Sequence, residues 1–332
     1  MRQLWERASR LRFVAVVVAT SVVVLAVAVL VLAGASGAHS APGLVSARPL
    51  SGAPALKQAE AAGIDIGAVI ASVRQHVDPV PGTPAPDLQE NPSVAFDGTN
   101  YLVAWQDRRA SAGYDIYGAR VGQDGNVLDP VGIAISTATS SQYAPTVAFG
   151  GTKFLVVWED YRSDGHTYSD VYGARVTQAG AVLDSDGIPI STASNNQQEA
   201  SVAFDGMNYL VAWQDCRACV GSNSYDIYGA RVNPANGTVL DPGGIPISTA
   251  AVNDQVAPSV AFDGMNYLVV WRGWSASQYA ISAARVSPAG VVLGPGEFPI
   301  ETMGVSQYGA PAVAFDGTNY LVAWVHFPGV SK

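Results

Sequence analysis

Three copies of one short charged motif are the clearest candidates for chemistry in this sequence. In each copy an Asp lies two positions after a Trp, and an Arg follows two positions later, as in Asp107 and Arg109, Asp160 and Arg162, and Asp215 and Arg217. Such charges could surround a shared anion or sugar, or they could pair with each other and hold a hairpin loop. Repetition favours the structural alternative, because catalytic residues normally break internal symmetry whereas structural residues follow it.

The loop after this motif differs most between copies, and variable loops on a rigid scaffold are frequent binding sites. In the second copy the loop adds another acid, Asp164. The sequence therefore predicts a binding surface on the loop face that consists of Asp107, Arg109, Asp160, Arg162, Asp164, Asp215 and Arg217.

Motifs for a particular catalytic chemistry are absent from the sequence. It contains no nucleophile elbow, phosphate-binding loop, HExxH zinc motif or EF-hand spacing. We therefore predict no catalytic residue, no metal site and no cofactor. A carboxylate pair for glycoside hydrolysis stays an alternative, since such pairs meet only in three dimensions.

The two cysteines, Cys216 and Cys219, lie in the third copy of the variable loop. One pair is too few for a four-ligand zinc site, and a redox pair normally opens a helix. Outside the cytoplasm a local disulfide is the better prediction, with free thiols as the alternative.

The charged motifs lie within an internal repeat of about 55 residues, which decides the architecture. Its most regular stretch, Val94 to Trp105, returns four times, and each full copy has four strand signals separated by turns. This pattern predicts an all-β fold, a β-propeller of four-stranded blades with four full repeats and a half blade. The expected bounds are about 89–141, 142–196, 197–254, 255–306 and, for the half blade, 307–327.

The order of strands within a blade can also be predicted. Proline recurs in the fourth strand as Pro189, Pro246 and Pro299, and it cannot donate to a strand ladder, so this strand is expected to be outermost. The first two strands are almost continuous apolar runs, which predicts burial on both faces. The repeated Trp and Phe are expected to fill the space between blades.

The fifth blade contains only its two inner strands, because the last copy ends soon after Trp324. An N-terminal strand near Asp65 to Val73 could complete it. The alternative is an open or truncated propeller. Apolar residues at helical spacing predict a short helix over 55–77, and this favours the second alternative.

The N-terminal region predicts export. Residues 13–33 form an uncharged apolar run preceded by four arginines, so residues 1–38 are expected to be a signal peptide or an N-terminal membrane anchor, in helical form. Either alternative places the rest outside the cytoplasm. Residues 39–88 are expected to be a linker that includes the short helix. The formal net charge of −9 argues against nucleic acid as a partner.

Two repeated strings, Phe-Asp-Gly-x-Asn-Tyr-Leu-Val-x-Trp and Asp-Ile-Tyr-Gly-Ala-Arg-Val, resemble a repeat of bacterial secreted or surface β-propeller proteins over residues 89–327. Those proteins are mostly uncharacterised, so the resemblance implies fold and export but no activity. The fourth copy departs from the pattern, because Arg272-Gly273-Trp274 follows its Trp and Ser282-Ala283 replaces Tyr-Gly.

From these features we expect an extracellular or surface-anchored propeller that binds a protein or glycan without catalysis. A secreted carbohydrate-active enzyme, of glycoside hydrolase or sialidase-like type, with an acid pair near the channel is the alternative. A third possibility is the sensor half of an anchored surface protein. Enzyme activity is thus left undecided, and no oligomeric state is predicted.

Overall fold

The computed structural model describes residues 14–19, 88–109, 113–162, 168–219, 224–249, 254–275, 278–301 and 309–326. Within these ranges the protein is all-β and its strands form five sheets. Four sheets have four antiparallel strands in chain order, and each sheet is one copy of the repeat. The prediction of four-stranded propeller blades is therefore confirmed.

The blades have nearly identical strand bounds. The first two blades consist of β2 (Gln89–Phe96), β3 (Asn100–Asp107), β4 (Asp115–Gly122), β5 (Ile133–Ser136), β6 (Gln142–Phe149), β7 (Lys153–Asp160), β8 (Asp170–Thr177) and β9 (Ile188–Ser191). The next two consist of β10 (Gln197–Phe204), β11 (Tyr209–Asp215), β12 (Asp226–Val232), β13 (Ile245–Ser248), β14 (Gln255–Phe262), β15 (Tyr267–Ser275), β16 (Gln278–Val286) and β17 (Phe298–Glu301).

The fifth sheet has a different composition. Its antiparallel pair is β18 (Ala312–Phe315) and β19 (Tyr320–His326), and β1 (Val14–Ala19) lies parallel to β19. The prediction of a helix over 13–33 is wrong at β1, where a Val-rich stretch forms a strand, as β-branched residues favour. The predicted helix at 55–77, and with it the segment considered for closing the ring, lies outside the described residues. In the described ranges no helix is long and apolar enough to cross a membrane.

The fourth strand of each blade lies where the sequence predicts, whereas the first strand is less buried than predicted. The fourth strands β5, β9, β13 and β17 each form a sheet edge, so the prediction from proline is confirmed. The second strands are almost fully buried, as expected. The first strands are only partly buried, because each packs beside the first strand of the neighbouring blade and lines the central channel.

The hydrophobic core is divided among the gaps between blades. One cluster joins Leu155, Val157 and Ile190 of the second blade to Tyr209 and Trp213 of the third. Equivalent clusters fill the gaps between the first and second, the third and fourth, and the fourth and fifth sheets. The expectation that Trp side chains fill these gaps is thus confirmed, and the rings of Trp158, Trp213 and Trp271 are fully buried.

Hydrogen bonds fasten the same gaps at both ends. In the third, fourth and fifth sheets a buried Tyr at the start of the second antiparallel strand donates to a carbonyl of the preceding blade: Tyr209 to Lys153 at 2.6 Å, Tyr267 to Asn208 at 2.9 Å and Tyr320 to Asn266 at 3.0 Å. Nearer the channel, the hydroxyls of Ser93, Ser201 and Ser259 each accept from a backbone N–H of the next blade. Neighbouring blades are therefore held in one fixed register.

Replacement of Trp213 by Ala tests the role of the gap cores. The variant removes a fully buried ring that contacts two blades, so we expect the free energy of unfolding to fall by about 3 to 5 kcal/mol. Denaturant unfolding followed by circular dichroism measures it. Met207→Ala is the control, because Met207 is 74% exposed and should change stability by less than about 0.5 kcal/mol. Equal stability of both variants would contradict the packing described here.

Candidate functional site

The Trp-x-Asp-x-Arg motif forms a closed hydrogen-bond cluster at the end of the second strand. In the first blade the indole Nε1 of Trp105 donates to Asp107 Oδ2 at 2.8 Å. Arg109 donates its backbone N–H and Nε to Oδ1 at 2.8 and 2.9 Å and its Nη2 to Oδ2 at 2.6 Å. Both carboxylate oxygens of the fully buried Asp are therefore used within the blade.

The Arg of the motif also fixes the outer part of its own blade. Arg109 Nη1 donates to the Val131 carbonyl at 2.7 Å, and the guanidinium lies 3.9 Å from the centre of the Tyr117 ring. Equivalent contacts repeat in the next two blades, with Arg162 over Tyr172 and Arg217 over Tyr228. The motif thus ties the end of the second strand to the loop between the third and fourth strands.

The residues predicted as a binding surface are therefore not brought together. Asp107 with Arg109, Asp160 with Arg162, and Asp215 with Arg217 form three clusters of the same structure, each bonded within its own blade. Asp164 lies outside the described residues. Of the two alternatives drawn from the sequence, this geometry matches the structural one.

A second set of ion pairs lies within the same three blades, and the arginine of each pair also donates to a backbone carbonyl of the next blade. The third-strand arginines pair with an Asp in the following turn, as Arg120 with Asp129, Arg175 with Asp184 and Arg231 with Asp241. Arg175 also donates to the Ala235 carbonyl of the third blade at 2.6 Å. Burial by itself would raise the pKa of Asp184, but the hydrogen bonds from Arg175 outweigh it and hold that pKa below the ordinary carboxyl value.

The central channel is lined by a bulge in the first strand of each complete blade. At each bulge one residue has a positive φ of 51 to 56°, although none of the four is Gly; they are Asn91, Ala144, Glu199 and Ala257. With their neighbours and Ala310 and Pro311 of the fifth sheet, they surround a small cavity that is open to solvent. The five sheets therefore share one cavity on their common axis.

The bulges of the second, third and fourth blades are each held from the preceding blade by the side chain directly after the motif Trp. The Gln106 side-chain oxygen accepts from the Ala144 N–H at 2.9 Å, and the Gln214 oxygen accepts from Ala257 N–H at 3.0 Å. Between the second and third blades, Glu159 takes the same role, and its side-chain oxygen accepts from the Glu199 N–H at 2.9 Å. This contact brings together two acids from different blades at the channel.

Both of these acids break the internal symmetry. Glu199 is the one acid among the residues of positive φ at the four bulges, where Asn or Ala stands in the other blades. Glu159 replaces the Gln of the first and third blades. Glu159 is almost fully buried, whereas Glu199 is half-buried and lines the cavity. At the gap between the second and third blades, the two residues that depart from the repeat are therefore in contact.

Tyrosines and an amide surround the two acids. The Gln198 side chain lies between Tyr161 and Tyr225, donating to the first hydroxyl at 3.3 Å and accepting from the second at 3.2 Å. Burial raises the pKa of the Tyr161 hydroxyl, and the charge of Glu159 raises it further, so this phenol stays protonated at neutral pH. Further along the same end of the channel, Tyr143 contacts Tyr161 and Tyr114, with ring centres 5.5 and 5.2 Å apart.

Sequence reasoning missed Glu159 and Glu199. Their signal was present as departures from the repeat, since aligned copies place Gln106 and Gln214 opposite Glu159. What the sequence lacked was the bulge, because only the register shift between Gln198 and Ser201 turns Glu199 towards the channel. Among the described residues, no group of three or more His, Cys, Asp or Glu could hold a metal ion.

The cysteine pair lies away from the two acids, in the loop of the third blade. The structure joins Cys216 and Cys219 by a disulfide, with their Cα atoms 5.0 Å apart. The bond closes a turn in which the Cys219 N–H donates to the Cys216 carbonyl at 2.9 Å, directly beside Arg217.

The fold and the channel define an all-β propeller with a cavity on its axis. Comparison with protein-family models gives no match, and neither does comparison with curated protein sequences. Among solved structures, the chain is similar to a thermostable family-43 glycoside hydrolase at 15% identity, covering 74% of this chain and 85% of the other with a TM-score of 0.45.

Two further similar structures belong to arabinan-related enzymes by their descriptions. An α-L-arabinofuranosidase from Lactobacillus brevis is 14% identical, with 74% and 86% of the two chains covered and a TM-score of 0.42. An endo-arabinase from Bacteroides thetaiotaomicron is 14% identical, with 75% and 93% covered and a TM-score of 0.43.

These findings correct the expectation of a propeller that binds without catalysis. By their descriptions the similar structures named above are glycoside hydrolases, in contrast to that expectation. The likeness is too distant to indicate a substrate or a catalytic residue, so both must come from the geometry of this chain.

Replacement of Asp184 by Asn tests the ion pair with Arg175. Because the folded pKa of Asp184 lies below its unfolded value, the pair stabilises the protein above the unfolded pKa of about 3.9, and this contribution disappears as pH falls through the folded pKa. We expect the variant to lose on the order of 1 kcal/mol at pH 7, with the difference shrinking below about pH 4. Denaturant unfolding between pH 3 and pH 7 measures this.

Asp186→Asn is the matched control, because Asp186 is exposed two positions further along the same turn. It should leave the pH dependence of stability unchanged. A constant difference between wild type and the Asp184 variant across this pH range would contradict the assignment.

Alkylation tests the disulfide. We expect iodoacetamide to leave Cys216 and Cys219 unmodified in the denatured protein and to modify both after reduction, because the two sulfurs are bonded to each other. Intact-mass spectrometry reads the result. Loss of the bond in a Cys216→Ser, Cys219→Ser variant should cost little stability, since the closed ring is short. Modification without reductant would refute the bond.

Proposed function

We propose that the chain is a carbohydrate-active enzyme of glycoside hydrolase type, with Glu159 and Glu199 as its acid pair. One observation carries the proposal: the two acids that break the repeat at the channel are in contact, through the bond from the Glu199 N–H to Glu159. Catalytic groups are expected where symmetry is broken, because one substrate meets one set of reacting residues.

Glycoside hydrolysis requires two carboxyl groups beside the scissile bond, one to protonate the leaving oxygen and one to act as nucleophile or base. Glu159 is almost fully buried, and its carboxyl group is fixed in place by the bond from the Glu199 N–H. We therefore assign Glu159 as the carboxylate and Glu199, which lines the cavity, as the general acid. The protonated hydroxyls of Tyr161 and Tyr225 are placed beside them to bind substrate oxygens.

The surroundings of the acids suit a carbohydrate. Ligand sites combine aromatic side chains with a few well-placed polar groups, and this end of the channel presents Tyr114, Tyr143, Tyr161 and Tyr225 together with Gln198. A polymer lying across the mouth of the channel would meet both kinds of group.

The enzyme is proposed to work outside the cytoplasm, as a member of the secreted or surface propellers that its repeat resembles. Support comes from the arginines and apolar run of residues 1–38 and from a disulfide in the third blade. The proposed partner is a glycan.

Variants that restore the repeat test the acid pair. Glu159→Gln introduces the residue of the first and third blades, and Glu199→Ala introduces that of the second and fourth, so both should fold with little loss of stability. We expect each to lose about 10²- to 10⁴-fold in kcat/KM, the usual contribution of a positioned acid or base. Release of reducing sugar from a panel of polysaccharides and aryl glycosides measures it.

Asp186→Asn is again the control, because its side chain is exposed on an outer turn and should not affect turnover. Full activity of both glutamate variants would rule out the assigned pair. Absence of turnover by the wild type on every glycan of the panel would count against the enzyme itself.

A further inference from the structure

The fourth blade places a cation where the other blades have an amide or an acid. Arg272 follows Trp271 directly and so occupies the position of Gln106, Glu159 and Gln214. Its Nη1 makes one long bond to the Gly309 carbonyl, at 3.5 Å, next to Ala310 and Pro311 of the cavity wall. The side chain is therefore directed towards the channel from the gap between the fourth and fifth sheets.

The guanidinium of Arg272 is incompletely satisfied. Its Nε is buried and has no hydrogen-bond partner among the described residues. Each ion pair of the described residues belongs to the first three blades, and Arg272 forms none of them. Arg272 is half-buried, and a cation partly withdrawn from water without a hydrogen-bonded counterion is destabilised, so a bound anion would stabilise this position.

The charges around Arg272 limit which anion can bind. Burial lowers the pKa of Arg272, while Tyr279, Asp254 and Glu199 act in the opposite direction. Two of these neighbours are acids, so the local positive charge is small. A singly charged carboxylate fits this field better than a doubly charged phosphate, and its two oxygens match the fork formed by Nε and Nη2.

The hairpin that carries Arg272 also presents an aromatic surface. β15 and β16 are longer than the corresponding strands of the other blades and pair as far as Ser275 and Gln278. Near the tip Trp274 is 38% exposed, and its ring meets Tyr279 edge to face with centres 4.6 Å apart. The Arg272 guanidinium lies 5.3 Å from the centre of the same Tyr279 ring.

We propose that Arg272 binds the carboxylate of an acidic sugar, so that the substrate is a carboxylated glycan, with Trp274 contacting a neighbouring sugar ring. This inference rests on the proposed function, because it assigns the substrate class of the same channel. Glu199 of the third blade and Arg272 of the fourth then face one ligand from adjacent blades. The shared chemistry is a sugar carboxylate, whether from a uronic acid or from a sialic acid.

Binding to the Glu199→Ala variant tests the inference without turnover. The probes are a galacturonic acid trimer, its methyl ester, 3′-sialyllactose and lactose, titrated by calorimetry and by tryptophan fluorescence. We expect one acidic probe to bind about tenfold or more tightly than its neutral counterpart, because only the carboxylate pairs with Arg272. A preference for the galacturonic acid trimer over its methyl ester identifies a uronic acid as the source of the carboxylate. A preference for 3′-sialyllactose over lactose identifies a sialic acid.

Arg272→Gln, added to the same background, should abolish the preference while retaining the fold, since Gln is the residue of the first and third blades. Arg285→Gln is the matched control. It removes the same charge from the outer part of the same blade, where Arg285 donates to the Gly294 carbonyl, and it should keep the preference.

The outcomes separate the inference from the proposed function. Equal binding of the acidic and neutral probes, or a preference that survives Arg272→Gln, would overturn the inference. Turnover of neutral glycans alone would also overturn it, while the enzyme assignment stands. Preferential binding of an acidic probe that Arg272→Gln removes, without turnover by the wild type, would support the site at Arg272 and refute the acid pair.

Discussion

Packing of each blade against the next is the interaction on which the rest of this structure depends. The third sheet does not bury its Trp alone, because the ring of Trp213 is covered by Leu155 and Ile190 of the preceding blade as well as by its own strands. Tyr209, Ser201 and the side chain after the motif Trp add hydrogen bonds across the same gaps. Since every gap uses the same positions, the repeat must keep them apolar or hydrogen-bonded, and this leaves few places where function can be added.

The position after the motif Trp is one of those places. A Gln there satisfies the N–H of the next bulge, and a Glu accepts the same bond while adding a charge beside the channel. Glu159 therefore costs the scaffold little, which explains how an acid can be buried in a gap that otherwise holds amides. The fourth blade departs further from the repeat, with Arg272 at this position. Gly273 replaces the Asp of the motif, and the indole Nε1 of Trp271 consequently has no partner among the described residues.

The sequence predicted most of the scaffold and little of the site. Blade order, the outer fourth strand and the buried Trp follow from local patterns, because turn residues, proline and apolar runs act within a few positions of themselves. The pairing of Glu159 with Glu199 joins residues 40 positions apart across two blades, so no local pattern contains it. The bulge that turns Glu199 inward has the same backbone conformation at Ala144 and Ala257 in the neighbouring blades. The residue type at this position therefore does not reveal the bulge in the sequence. At the N-terminus the apolar run of residues 13–33 predicted a helix, whereas its Val-rich stretch Val14–Ala19 forms a strand beside β19.

The charges around the channel relate the acid pair, Glu159 and Glu199, to Arg272 of the fourth blade. Glu90, Glu159 and Glu199 lie at the same end of the first, second and third blades, and Glu90 is held by Tyr114 and Gln106. Alone, these acids would repel any anionic ligand. Arg272 supplies positive charge on the opposite side of Glu199, beside the aromatic rings of Trp274 and Tyr279. An acidic sugar could therefore be held by its carboxylate at the fourth blade while its glycosidic bond lies towards the acids of the second and third, because the blade packing fixes these groups in one frame.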